Sequence, residues 1–109
     1  MKRKLLTIIT PVFNDLENLK KTFKTIQAGN ELTEHIIIDG NSKDGSFDFA
    51  KNLESKGLAK VLTQKSLTIY GAFNEALIKG NGEYVIFLYC GDILKIDILF
   101  EISLILANL

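Results

Sequence analysis

The chain is predicted to be a three-layer α/β domain, with one parallel sheet held between two layers of helices. Two observations predict this. Four short apolar runs alternate with four segments of helical periodicity, which is the pattern of βαβ units. The second and fourth runs are apolar at consecutive positions, Ile36-Ile37-Ile38 and Tyr84-Val85-Ile86-Phe87-Leu88, as central strands covered by helices on both faces must be. Length agrees: 109 residues suit one domain, which typically needs about 100 to 150, so residues 1–109 are read as a single unit. With 47% apolar residues, 24% charged residues and one proline, the chain can bury a core and is not of disordered composition.

In order, the first strand is expected over Leu5 to Thr10, stopped by Pro11. The first helix should begin near Asn14, whose side chain can cap free N–H groups while Glu17 reaches back. Leu16, Leu19, Phe23 and Ile26 then line one face, and Gly29-Asn30 ends it. The second strand runs from His35 to Asp39, and the second helix from about Ser46 to Lys56, ended by Gly57. Lys60 to Thr63 forms the third strand. A helix from about Tyr70 turns Phe73, Ala76 and Leu77 inward and stops at Gly80-Asn81-Gly82. The fourth strand covers Tyr84 to Leu88, and a last helix begins near Lys95. A strand order of 3-2-1-4 is expected, with strands 1 and 4 adjacent at the switch point.

Composition excludes several functions. Thirteen basic residues balance thirteen acidic ones, so the basic surplus that nucleic-acid binding requires is absent, and no nucleic acid partner is expected. Cys90 has no second cysteine to pair with, and with His35 as the single histidine it cannot complete a structural zinc site. A cytoplasmic location is therefore expected. Lys2-Arg3-Lys4 precedes an apolar stretch broken by Thr7, Thr10 and Pro11, which reads as a strand and not as a secretion signal. Lys95, Asp97 and Glu101 interrupt the apolar C-terminal segment, so no transmembrane helix is expected there.

Ligands of open α/β sheets bind at the carboxyl ends of the strands, where helix N-termini and loop backbone converge. Three of these ends are polar: Thr10 to Asp15, Asp39 to Ser46, and Tyr89 to Asp92. Asp39 and Asp92 emerge directly from apolar strands at one edge, where burying a carboxylate is costly without a cation or a donor. They are expected to face one crevice. Asp44 reads most simply as a helix cap, and His35 as a packed or surface residue. There is no G-x-G-x-x-G after the first strand and no P-loop. Gly40-Asn41-Ser42-Lys43-Asp44 lacks the last glycine of a nucleophile elbow.

Four stretches in order resemble the family 2 glycosyltransferases of the GT-A fold. Thr7 to Asn14 is similar to the family's "SIITPVYN", and Ile36 to Ser46 to "IIIDGGSTDGT". Ile69 to Ala76 resembles "GIYDAMNKG", and Gly82 to Leu88 resembles "GEYIGFLN". The resemblance implies a Rossmann-like, GT-A type sheet that binds a nucleotide diphosphate sugar, a UDP-sugar above all. It gives Pro11, Val12 and Phe13 the floor and wall of the base pocket, with Phe13 in place of the usual Tyr. It gives Asp39 a hydrogen bond to base or ribose, while Asn41, Ser42 and Asp44 shape the loop. Tyr89-Cys90-Gly91-Asp92 stands where the family carries its metal motif, so Asp92 is the implied nucleotide-side carboxylate and ligand of Mg²⁺ or Mn²⁺.

The implied reaction is direct, inverting displacement at the anomeric carbon by an acceptor hydroxyl, in polysaccharide or glycan biosynthesis. The sequence also departs from the family. Gly40 replaces a second aspartate, Ser66-Leu67-Thr68 replaces "DKG", and Tyr70-Gly71-Ala72 replaces "YDA". The family's chain continues into an acceptor half with the catalytic base, so this chain is expected to be a truncated, N-terminal part with no catalytic residue assigned and little transfer activity alone. The alternative is a noncatalytic remnant or interaction module that keeps the fold. A nucleotidyltransferase is disfavoured by the lack of a glycine-rich, basic loop after the first strand. The intact enzyme is allowed a peripheral membrane association. Phe100 and Leu104, four apart beside an apolar helix face, predict a homo-oligomer through the C-terminal helix.

Overall fold

A computed structural model describes residues 4–26, 31 and 33–92. Its elements are β1 (Lys4–Val12), α1 (Leu16–Ile26), β2 (Thr33–Asp39), α2 (Ser46–Ser55), β3 (Lys60–Thr63), α3 (Ile69–Lys79) and β4 (Gly82–Phe87). The strands form one all-parallel sheet in the expected order, β3-β2-β1-β4. The helix expected from Lys95, with Phe100 and Leu104, lies outside the described residues. Among the described residues no helix is long and apolar enough to cross a membrane.

Strand alternation sorts the core into two layers. Val12 and Ile37 pack with Leu19 of α1 and with Ala50 and Leu53 of α2. Leu6 and Ile8 meet Ile26, the end of α1, together with Leu88. On the opposite face Ile9, Ile36 and Ile38 pack under Ala72, Phe73 and Ala76 of α3. Successive isoleucines of β2 thus point to opposite layers, and all three are fully buried. This is what an uninterrupted apolar run in a sequence reports.

Several boundaries differ from expectation for identifiable reasons. β1 continues through Pro11 to Val12. Val12 O accepts from Gly40 of the β2 side, while Ile9 O accepts from Leu88 of the β4 side, so odd residues of β1 face β4. The β1–β4 register ends at Ile9↔Phe87, so the N–H that Pro11 lacks falls where the ladder has already ended. The capping box of Asn14 and Glu17 does not form. The N–H of Asn14 donates to Ser42 Oγ instead, and Asp15 is the cap, its carbonyl accepting from Leu19 at 2.9 Å. In α3, which starts at Ile69 under a Thr68 cap, Ala72 takes the inward place expected of Leu77, which is 41% exposed. β4 is an edge strand among the described residues, not a central one, and Tyr84, Val85 and Phe87 remain partly exposed.

Candidate functional site

Three hollows run along the carboxyl edge of the sheet. The first, about 250 Å³, is lined by Asp39, Asn41 and Thr63 and by the start of α2. The second, about 320 Å³, lies between Phe13, Asn41 and Gln64. The third, about 250 Å³, is bounded by Pro11, Val12, Phe13, Asp15, Tyr89 and Cys90. Asn41 is common to the first two, and Phe13 with Gln64 to the second and third. A larger hollow of about 570 Å³ lies at the opposite, amino edge. There Glu34 is engaged by Lys60 at 3.1 Å and by the Thr7 hydroxyl at 2.7 Å, and His35 keeps a buried Nδ1 without a partner; a second unpartnered polar group stands at the carboxyl edge.

That group is Asp39. As the last residue of β2 it is carried into the α1–α2 layer by the alternation that also turns Ile37 there, and it is 1% exposed. Oδ2 accepts the N–H groups of Asn41 and Ser42, each at 3.0 Å. Oδ1 is buried with no hydrogen-bond partner. A buried carboxylate oxygen without a partner costs free energy that a donor from outside would recover. Next to it Asn41 is held at φ 69°, a left-handed conformation that few residues other than glycine adopt. Phe13 stands 64% exposed above the second hollow, an open aromatic face.

The two loops that carry these residues are laced together. Asn14 receives the Lys43 N–H on its Oδ1 at 2.6 Å and gives its own N–H to Ser42 Oγ at 2.9 Å. Asp15 N–H donates to Ser46 Oγ at 3.3 Å. Asp44 accepts from Leu16 N–H on one oxygen at 3.0 Å, and from Ser46 N–H and Oγ–H on the other at 3.0 and 2.6 Å. The Ser46 hydroxyl foremost, with the backbone donors, holds the Asp44 carboxyl below its ordinary range. The cap position of α2 is Gly45, one residue past the Asp44 expected there, and Asp44 instead accepts the first N–H of both α1 and α2 from outside the two helices.

Asp92 lies beyond β4 at the same edge as Asp39, yet it lines none of the three hollows. Its Oδ2 accepts the Tyr89 N–H at 3.0 Å, and Thr22 pins the turn by donating to the Asp92 carbonyl at 2.9 Å and accepting from Gly91 N–H at 2.9 Å. Cys90 donates to Pro11 O at 3.3 Å. Burial, followed by the nearby Asp15, Asp92 and Asp44 carboxylates, pushes its thiol up to about 12. It is therefore a neutral thiol and not a soft thiolate ligand. No group of three or more His, Cys, Asp or Glu side chains able to hold a metal ion occurs among the described residues. Within the Tyr89–Asp92 turn, Asp92 is an exposed hard carboxylate, which fits a Mg²⁺ or Mn²⁺ ion taking its other oxygens from phosphate and water.

Gln64 and Tyr89 line the hollows without having been singled out as ligand residues. Gln64 follows β3, the one carboxyl end left out of the sequence argument, although the same edge rule applied to it.

The family model for glycosyl transferase family 2 matches residues 7–90. The chain belongs to glycosyl transferase family 2. An uncharacterized glycosyltransferase of Mycobacterium tuberculosis is 32% identical over 88 residues, which are 79% of this chain and 33% of that protein. The chain thus spans about a third of the length of the curated relatives it matches. Among solved structures, S. aureus TarS (residues 1–349) superposes with a TM-score of 0.83 at 17% identity, over 95% of this chain and 32% of that one. A mannosyltransferase from Pyrobaculum calidifontis, solved with GDP-Man and Mn²⁺, gives a TM-score of 0.70 at 20% identity, over 84% of this chain and 28% of that one. These structures share the GT-A type fold with this glycosyltransferase-family chain. TarS has also been solved with UDP and with UDP-GlcNAc.

Proposed function

We propose that residues 1–109 form a single domain, the N-terminal, donor-binding part of a cytoplasmic inverting glycosyltransferase, and that the donor is a nucleotide diphosphate sugar, most simply a UDP-sugar. One observation carries this reading: Asp39 presents a buried, unpartnered carboxylate oxygen in the first hollow of the carboxyl edge, which shares Asn41 with the next hollow, where the exposed Phe13 ring stands. A pyrimidine base offers an N–H donor and a flat face, which are the two things this pair lacks. Asp39 accepts the base N–H, Phe13 stacks on the ring, and Pro11 and Val12 close the floor. Asn41, held left-handed, keeps its own N–H on Asp39 Oδ2 so that Oδ1 stays free for the ligand.

Asp92 is the residue that would hold a divalent ion, through the oxygen that Tyr89 N–H does not occupy. When bound, such an ion supplies positive charge that neutralises the departing nucleotide diphosphate. The bond that breaks joins the anomeric carbon to that leaving group, while an acceptor hydroxyl of a growing glycan attacks from the opposite face and gives up its proton to the base that the family carries in its acceptor half. Self-association of the chain is proposed from the apolar positions Phe100 and Leu104. A stable monomer by light scattering at high micromolar concentration would overturn that part.

Calorimetric titration with UDP in the presence of Mn²⁺ tests the donor site. The wild-type chain is expected to release heat, and Asp39→Asn to bind at least about tenfold more weakly, since a hydrogen bond to a charged group is worth about 1.5–3 kcal/mol. The asparagine keeps an oxygen for the two loop N–H groups and turns an NH₂ toward the base N–H, so donor meets donor. Unchanged affinity in this variant would remove the role of Asp39. EDTA, or Asp92→Asn, is expected to weaken UDP binding as well. One observation favours the second reading, a noncatalytic module: Asp92 sits outside the hollows with one oxygen already used. Absence of heat at millimolar UDP would decide for the module.

A further inference from the structure

We propose that Asp44 is a positioning residue of the donor site, a clasp that sets the distance between the Phe13 loop and the Asp39–Asn41 loop. The proposal rests on the donor-site reading above and deepens it. Asp44 spans two elements: one oxygen caps the first turn of α1 through Leu16 N–H, the other caps the first turn of α2 through Ser46. Phe13 lies three residues before Leu16 on one of these loops. Asn41 lies five residues before Ser46 on the other. Asp44 lines none of the three hollows and need not touch a ligand for the clasp to decide how wide the second hollow, which Phe13 and Asn41 both line, stands open.

The strained backbone lies inside the same lacing. Asn14 at φ 46° and Asn41 at φ 69° are the two non-glycine residues with positive φ among the described residues, and left-handed residues persist only where their surroundings over-determine them. Asn14 is held by Ser42 and Lys43 across the gap, and Asn41 by Asp39. The buried Ser46, which Asp44 orients, in turn receives the N–H of Asp15. Each rung joins the β1–α1 loop to the β2–α2 loop or orients a residue that does. Removal of Asp44 takes out one direct rung and releases the Ser46 hydroxyl that makes another.

The test compares Asp44→Ala, Asp44→Asn and Gly57→Ala with the wild type at a temperature where circular dichroism shows all four folded. UDP and uridine affinities are measured by calorimetry, and amide hydrogen exchange at Asp15, Leu16 and Ser46 is followed without ligand. Asp44→Ala is expected to lose at least about tenfold in affinity for both ligands, because the clasp acts on the base side, and to exchange faster at the three amides. Asp44→Asn has one carbonyl where two oxygens were needed and should fall between, and it carries the comparison alone if the alanine variant does not fold. Gly57, at φ 74° with open space around it, is strained by any side chain but lies past the end of α2 at the amino-edge hollow and lines none of the three hollows of the carboxyl edge. Its alanine variant is expected to lose stability and keep UDP affinity. A wild-type chain that takes up neither ligand overturns the donor-site reading. A wild-type chain that binds UDP while the folded Asp44 variants bind it within twofold overturns the clasp and leaves the donor site standing.

Discussion

Acidification from pH 7 to pH 4 is expected to remove about 3 kcal/mol of folding stability through one side chain, His35, each pKa unit of difference between folded and unfolded states being worth about 1.4 kcal/mol. His35 is 4% exposed. It lies nearly parallel to Phe23, with centroids 6.4 Å apart. Its Nε2 is 2.8 Å from the Thr10 hydroxyl, and Nδ1 is buried without a partner. Burial lowers its pKa from the ordinary 6.5 to about 4, because a charged ring here has lost its water and gained no anion. Above the unfolded value the ring is neutral in both states and the effect is absent. As pH falls below 6.5 the unfolded chain takes up a proton that the folded chain refuses, so stability drops, and the loss is complete only below about 4. Denaturant unfolding from pH 7.5 to 4.5 should show this slope in the wild type and lack it in His35→Gln, which keeps a partner for Thr10. A wild-type curve flat between pH 6.5 and 5 would remove the assignment. The chain has one histidine, so the slope has no other imidazole to come from. The carboxyls of Glu34, Asp44 and Glu54 are held below their ordinary values and lose their contributions at lower pH than the range in which His35 begins to act.

What the sequence made legible was the part governed by periodicity. Ile36 to Ile38 announced a strand buried on both faces, and the alternation of runs and helical segments announced a parallel sheet, its order being expected from the switch-point rule of such folds. Tyr84 to Phe87 carried the same local signal, yet this strand is an edge among the described residues, because a run of apolar side chains states what must be covered and not what covers it. Pro11 read as a stop, since the sequence does not reveal that its missing N–H would point past the end of the β1–β4 ladder. At the site, Asp39 and Asp92 were visible as carboxylates leaving apolar strands. Their unequal environments were not: Asp39 is aimed into a hollow by strand parity, while Asp92 folds back on Tyr89 N–H in a turn pinned by Thr22, a residue nearly seventy positions away in sequence. The cap of α1 was assigned to Asn14 for a similar reason. Local rules offer Asn14 its own helix, and only the folded chain brings Ser42 and Lys43 close enough to bond Asn14, and Asp44 close enough to take the Leu16 N–H, across the gap.

Gly82→Ala is expected to cost about 3 kcal/mol, at or above the upper end of what inserting one carbon into a packed interior usually costs. A Cβ at this position would stand 2.5 Å from Thr7 N and 2.8 Å from Leu6 C, both backbone atoms of β1, and 2.6 Å from Thr7 Oγ1. β1 is a central strand, paired with β2 on one side and β4 on the other, so it cannot move aside without opening a ladder. The obstruction also falls on a buried polar network. Gly82 N–H donates to Thr7 Oγ1 at 2.9 Å, Thr7 donates to Glu34 at 2.7 Å, Asn81 N–H donates to the same carboxylate, and Lys60 pairs with it at 3.1 Å. Pushing β4 outward would break the first of these bonds and draw Asn81 N–H away from Glu34, leaving that carboxylate short of a donor where it is buried. Because the nearest obstacle is backbone, trimming the side chain should not help, and Gly82→Ala combined with Thr7→Ala is expected to be no more stable than Gly82→Ala alone. Urea unfolding of the wild type and the two variants decides the matter. A single variant within about 0.5 kcal/mol of wild type, the range of an ordinary surface substitution, would show that β4 can shift freely at its amino end. A rescued double variant would place the clash on the Thr7 hydroxyl and not on the strand.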